Sequence, residues 1–250
     1  MPEDRIIDSH VHLKHGDAEG TEYSPEAIVR IMDEVGIDKS VVFAMSTTTR
    51  RSIEMAKGAV DKFPDRLIPY VYALPNYERP VLEEIGRALT ELDFKGIKIH
   101  IGECTLAEYV VDPVIGLAGE LGSPCLIDCG GDYEAIARMA VNFPKTNIIV
   151  AHLGRYLCED PILIDRFISL ASAYPNIYLD ISGVVIPGKI VEALQRAGPK
   201  RVLFGTDGPH EAPDAVAYAQ AEIGKVRKLG LSEGDQRAIL GENIASLLKL

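Results

Sequence analysis

Three observations in the sequence predict a single (β/α)8 barrel, an α/β fold with a ring of parallel strands. Short β-branched runs recur about eight times, helix-like segments separate them, and most of the runs close on a polar residue. A chain of 250 residues is the usual length for one such barrel. Residues 1–250 are therefore read as one domain, with slight distortion of the barrel allowed.

The runs, in order, are "RIIDSH", "KSVVFAM", "RLIPYVYA", "KGIKIHI", "PCLIDC", "NIIVAH", "NIYLDIS" and "RVLFGTD". They are apolar without strict alternation, which suits parallel strands covered on the outside by helices. After the first run, Ile28, Ile31, Met32 and Val35 fall three or four apart behind Ser24-Pro25, so a helix is expected that starts on Pro25 and stops at Gly36. Four later connections share one wording, "FPDRLI", "FPKTNIIV", "YPNIYL" and "AGPKRVLF". In each, a proline with fixed φ and a polar turn ends a helix before the next strand. A doubly wound sheet would place a glycine-rich phosphate loop after its first strand. Here the first run leads into His-Val-His, and no GxGxxG follows.

Hydrophobic residues make up 47% of the chain and charged residues 25%, a globular rather than a disordered composition. A formal charge of −11 repels phosphate backbones and anionic headgroups, so nucleic acid and membrane surfaces are excluded as expected partners in favour of a small molecule. The acidic start "MPEDRIIDSH" lacks the basic and apolar blocks of a signal peptide, and no later run approaches the roughly 20 residues of a membrane span. A cytoplasmic location is expected. Cys104, Cys125, Cys129 and Cys158 are scattered without CxxC pairs, which argues against a disulfide framework or a zinc ribbon.

In a barrel of this kind the chemistry lies at the C-terminal ends of the strands. Those positions hold Asp8, His10 and His12 on the first run, Lys98 and His100 on the fourth and Asp128 on the fifth. His152, Asp180 and Asp207 follow on the sixth, seventh and eighth. His10 and His12 share parity and can present two nitrogens to one ion. Spacing alone makes an isolated HxH weak, but Asp207, arriving beside the first strand as the barrel closes, can complete the site. Imidazole and carboxylate together suit one divalent ion, Zn²⁺ first, with Mn²⁺ or Fe²⁺ as alternatives. His152 alone would be read as a strand-end cap, yet beside a metal it can polarise a carbonyl or carry a proton. Lys98, inside the barrel, needs a carboxylate, and Asp8 and Asp180 are its expected partners.

The segments "IIDSHVHL", "FKGIKIH", "NIIVAHLG", "NIYLDISG", "RVLFGTDGP" and the closing "AILGENIASLLKL" resemble, in order and spacing, the amidohydrolase-2 branch of the amidohydrolase superfamily. That branch includes aminocarboxymuconate-semialdehyde decarboxylase, related benzoate decarboxylases and dicarboxylate lactonases. The resemblance spans nearly the whole chain and implies an extra C-terminal helix. It also implies that His10 and His12 are metal ligands, that Asp207 is a further ligand and handles the proton of the attacking water, and that His152 assists at the reacting group.

The fifth strand departs from the family pattern. A histidine ligand is usual there, in a setting like "PVLIH", whereas this chain has "PCLIDCGG" and places Asp128 at the match. Asp128 can ligate through oxygen and favours a harder ion such as Mn²⁺; otherwise His100 or Cys129 substitutes, or a ligand is lost. "HLGRY" also differs from the family's Gly-Gly, which offers Arg155, with Arg50 or Arg51, as a clamp for a substrate carboxylate. His100 is a second candidate for substrate binding.

The leading functional expectation is a hydrolase of a small ester, lactone or amide that uses metal-activated water. The alternative is a metal-dependent decarboxylase of an aromatic or unsaturated acid, built on the same residues. A third, motivated by the missing fifth-strand histidine, is a barrel that binds a metabolite without turning it over. The short loops suggest a pocket that is open or closed by a neighbouring subunit, so homo-oligomers are allowed.

Overall fold

The structure, a computed structural model, describes residues 5–211 and 214–250. Eight strands form one sheet in sequence order. They are β1 (Ile7–Lys14), β2 (Lys39–Ala44), β3 (Leu67–Tyr72), β4 (Gly96–His100), β5 (Cys125–Asp128), β6 (Ile148–Val150), β7 (Ile177–Asp180) and β8 (Val202–Leu203). Every neighbouring pair from β1–β2 to β7–β8 is parallel. Helices follow each strand: α1 (Pro25–Val35), α2 (Thr49–Lys62), α3 (Leu82–Glu91), α4 (Glu108–Leu121), α5 (Tyr133–Asn142), α6 (Pro161–Ala173), α7 (Gly188–Ala197) and α8 (Ala215–Arg227). This is the (β/α)8 barrel expected from the repeat. None of the described helices is long and apolar enough to cross a membrane.

Local sequence sets the element ends. The Ser24 side chain accepts the Ala27 N–H at the start of α1, Pro25 occupies its first turn, and Gly36 ends it at φ 78°. The four proline connections make one and the same turn. Arg66 N–H donates to Phe63 O, Thr146 to Phe143, Ile177 to Tyr174 and Arg201 to Gly198, each across three residues with proline second.

β1 does not alternate regularly. Ile7 belongs to the cluster inside the barrel, whereas Val11 and Leu13 belong to the layer between sheet and helices. The register against β2 slips between Asp8 and Val11, the mark of a β-bulge. Strict alternation from Ile7 would turn His10 and His12 toward the helices, and the bulge turns both inward.

Two glycines show how tightly the interior is filled. At Gly96 a Cβ would come within 2.4 Å of the Tyr70 ring, so the ring fills space that only glycine leaves. The N-terminal end of the barrel is closed by the last segment, α9 (Glu233–Arg237), a π-turn (Ala238–Glu242) and α10 (Asn243–Leu248), the extra helix expected from "AILGENIASLLKL". Ile244 and Leu248 of α10 join the inner cluster with Ile7, Leu126 and Leu203. Gly241 lets this segment approach β1, because a Cβ there would lie 2.1 Å from the Arg5 carbonyl oxygen.

Gly241→Ala is therefore expected to destabilise the protein by about 1–3 kcal/mol, since backbone must move to admit the methyl group. Gly58→Ala, on the exposed face of α2 with open space around it, is expected to stabilise it by about 0.5–1 kcal/mol. Urea unfolding of both variants checks the pair.

Candidate active site

The barrel closes where β8 meets β1, and that seam builds the site. Ser9 N–H donates to Phe204 O at 3.0 Å, Asp207 N–H to His10 O at 2.9 Å, and His12 N–H to Gly208 O at 2.7 Å. Asp8 locks the same seam from behind by accepting Thr206 N–H at 2.9 Å and Thr206 Oγ1–H at 2.6 Å. Burial raises the Asp8 carboxyl to about 7 despite these bonds. Gly205 completes the approach, since a Cβ there would sit 2.6 Å from Asp180 Oδ1 and 2.8 Å from His10 Cβ. β8 itself ends at Leu203, and Asp207 is carried on the following loop at a left-handed φ of 61°.

His10, His12 and Asp207 come together as the sequence led one to expect. Asp207 Oδ1 lies 3.0 Å from His10 Nε2 and 2.9 Å from His12 Nε2. His10 Nδ1–H donates to Asp180 Oδ2 at 3.1 Å, which leaves the Nε2 lone pair facing the centre. Burial lowers the pKa of His12 well below its usual value, so its ring is neutral. Burial opposes a charge on Asp207, but His10 and His152 facing it hold its carboxyl well below the ordinary range.

This donor set fits a divalent cation. Two imidazoles and an ionised carboxylate place three donor atoms within 4.8 Å of one another, and the carboxylate behind His10 fixes its ring as metal sites require. A second such group, His10, His152 and Asp180, overlaps the first through His10.

Asp128 belongs to neither group. Its Oδ2 lies 3.2 Å from His100 Nε2 and 3.4 Å from His152 Nε2, and its Oδ1 accepts the Gly130 N–H. Where a third imidazole ligand was expected, the structure has a carboxylate bridging two histidines. Its burial would raise its pKa, but His100, His152 and Lys98 together hold it far below the usual range.

His152 follows β6 in a short 3-10 turn, at φ 59°, with Leu153 next at φ 52°. Two successive left-handed non-glycine residues are strained, each by about 1–3 kcal/mol, and such strain gathers at functional sites. Both ring nitrogens face acceptors, Nδ1 the Ser182 carbonyl at 2.9 Å and Nε2 Asp128. Burial alone would lower its pKa, but Asp207, Asp128 and Asp180 push it up to about 9, so His152 is an imidazolium at neutral pH.

The remaining candidates separate. His100 lines the cavity, whereas Arg155 is exposed outside it, near Gly131. Arg50 lines a different groove between α2 and α3, and Arg51 is exposed beside Glu54. Cys129 is buried with its thiol directed to the Gly154 carbonyl. The expectation for Lys98 needs correction. Asp8 is consumed by the seam and Asp180 by His10 and Ser182, so Lys98 Nζ instead donates to His10 Nε2 at 2.9 Å.

Two histidines were missed. His15 stacks on His12 with ring centroids 4.4 Å apart, and His210 Nε2 lies 3.5 Å from Asp207 Oδ2. All six histidines of the chain thus line or border one cavity of about 420 Å³. The signal was in the sequence, three residues after His12 in "HVHLKH" and three after Asp207 in "DGPH".

The family model Amidohydro_2, described as amidohydrolase, matches residues 7–250. The chain belongs to the amidohydrolase family. No curated protein matches it by sequence. Among solved structures it is similar to an amidohydrolase from Burkholderia multivorans with bound zinc (TM-score 0.79, 16% identity, covering 98% of this chain and 99% of that one). It is also similar to 5-carboxyvanillate decarboxylase from Novosphingobium aromaticivorans complexed with manganese and 4-hydroxy-3-methoxy-5-nitrobenzoic acid (0.77, 18%, 100% and 98%). A third is a probable 2-pyrone-4,6-dicarboxylic acid hydrolase from Acinetobacter baumannii with citric acid bound (0.73, 18%, 98% and 100%). At these identities the likeness establishes the fold, and family membership makes this amidohydrolase an enzyme.

In this amidohydrolase Asp180 orients His10. Asp180→Asn is expected to weaken divalent-cation binding about 10–100-fold with the fold intact, read by competition with a chromophoric chelator. Unchanged affinity would show that Asp180 does not orient the ligand.

Proposed function

We propose that this amidohydrolase is a metal-dependent hydrolase of a small lactone, ester or amide. His10, His12 and Asp207 would hold the ion, for which two imidazoles and one carboxylate favour zinc, with manganese or iron as alternatives. Zinc and manganese in similar folds support that choice. A divalent cation held there lowers the pKa of water and polarises a carbonyl oxygen.

The observation that carries the reading is how Asp207 and His152 differ. Asp207 is ionised and turns Oδ1 to the two imidazoles, while among the described residues its Oδ2 approaches only His210 and is placed to accept a proton from water. His152 is charged and held from both sides, so it donates rather than accepts. A base for the attacking water and a cation for the developing oxyanion therefore share one cavity. Asp128 is read as the group that orients His152 and His100 and keeps His152 charged, rather than as a ligand.

A second reading keeps these residues and changes the bond. The likeness to 5-carboxyvanillate decarboxylase favours it, and a charged His152 could deliver a proton to carbon as CO₂ leaves. Zinc-loaded protein assayed on a panel of lactones, esters and aromatic acids separates the two. Hydrolysis without CO₂ release is expected, and CO₂ release without hydrolysis selects the lyase.

His152→Asn is expected to lower turnover on any substrate found by about 10²–10⁴-fold while metal content stays at that of the wild type. Full activity in that variant removes His152 from the mechanism. Stripping the metal with a chelator should abolish turnover, and adding zinc back should restore it.

A further inference from the structure

The cavity is rich in acids and poor in cations. Exposed Asp17, Glu19 and Glu211 border it, Asp128 and Asp207 lie deeper, and Lys98 is the one lysine or arginine among the described residues that line it. Lys98 is fully buried and forms no ion pair with a carboxylate among the described residues. Among the described residues its Nζ has one hydrogen bond, to His10 Nε2, and the Phe43 ring lies 5.2 Å away.

A buried amine or ammonium with one imidazole as partner is poorly satisfied, since the group carries up to three donors. The partner is also contested. An imidazole nitrogen has one lone pair, and the lone pair that Lys98 uses is the one His10 would give to a cation. The two uses exclude each other. When His10 binds an ion, Lys98 loses its hydrogen bond inside a buried site, where an orphaned donor is strongly disfavoured.

We propose that Lys98 anchors the substrate: freed from His10 when the metal binds, it donates to a single carboxylate of the substrate within the cavity. Its release presupposes that His10 binds a cation, as proposed above. The position suits the task, because Lys98 and the cavity-lining His100 point the same way from β4. The surrounding charge suits it too, for the acids at the mouth repel a second anionic group. Arg155, Arg50 and Arg51 lie outside the cavity and leave this role to Lys98.

The test compares wild type with Lys98→Met. Zinc affinity is read by chelator competition, and carboxylate affinity by calorimetric titration of the zinc-loaded proteins with benzoate. With its competitor gone, His10 should bind zinc severalfold more tightly in Lys98→Met, while benzoate should bind about tenfold or more weakly. Should the methionine variant not fold, Lys98→Gln keeps a neutral donor group and should give the same directions with smaller changes.

Weaker zinc binding in the variant overturns the proposal, because Lys98 would then help to hold the ion. Benzoate that binds both proteins alike, or neither, overturns it as well. Zinc that fails to bind the wild type overturns both this and the metal-binding reading.

Discussion

The site depends on one seam. Three backbone hydrogen bonds between β1 and the segment after β8 close the barrel, and the same bonds carry Asp207 to within 3.0 Å of His10 and His12, almost 200 residues earlier in the chain. Asp8, just before the slip in the β1 register, and Ser9, within it, hold that segment through Thr206 and Phe204. The geometry of the proposed ligands is thereby tied to barrel closure. A disturbance of the seam would move one of them and open the barrel together, because both rest on the same few atoms.

Around that seam the electrostatics are unbalanced in one direction. Asp128, Asp180 and Asp207 are ionised in a buried space that holds Lys98 and the His152 imidazolium. Buried carboxylates are tolerated when paired and hydrogen-bonded, and each of these is. Asp180 accepts from His10 and Ser182, Asp128 faces two imidazoles, and Asp207 faces His10 and His12. The carboxylates still outnumber the fixed cations. Negative excess at the bottom of a cavity attracts a cation more strongly than the ligand atoms alone would.

Much of this was legible in the sequence, and the gaps have physical causes. The repeat of strands and proline turns gave the barrel because each local signal, from the Ser24 cap to the turn at Phe63–Arg66, acts within a few residues. Polar residues at strand ends gave His10, His12, His152 and Asp207 because a parallel barrel collects those ends at one face. The β1 bulge was not legible. Equal parity correctly paired His10 with His12, but the slip that turns both inward relative to Ile7 depends on pairing with β2.

Side-chain partners across the barrel were the least readable feature. Lys98 was given Asp8 or Asp180, yet Thr206 claims the first and His10 the second, choices made by residues distant in sequence. The most direct test of the account is X-ray diffraction from zinc-soaked crystals at the zinc absorption edge. One anomalous peak in contact with His10 Nε2, His12 Nε2 and an Asp207 oxygen is the expected result. A map with no peak there, or with the ion seated instead among Asp128, His100 and His152, would contradict it.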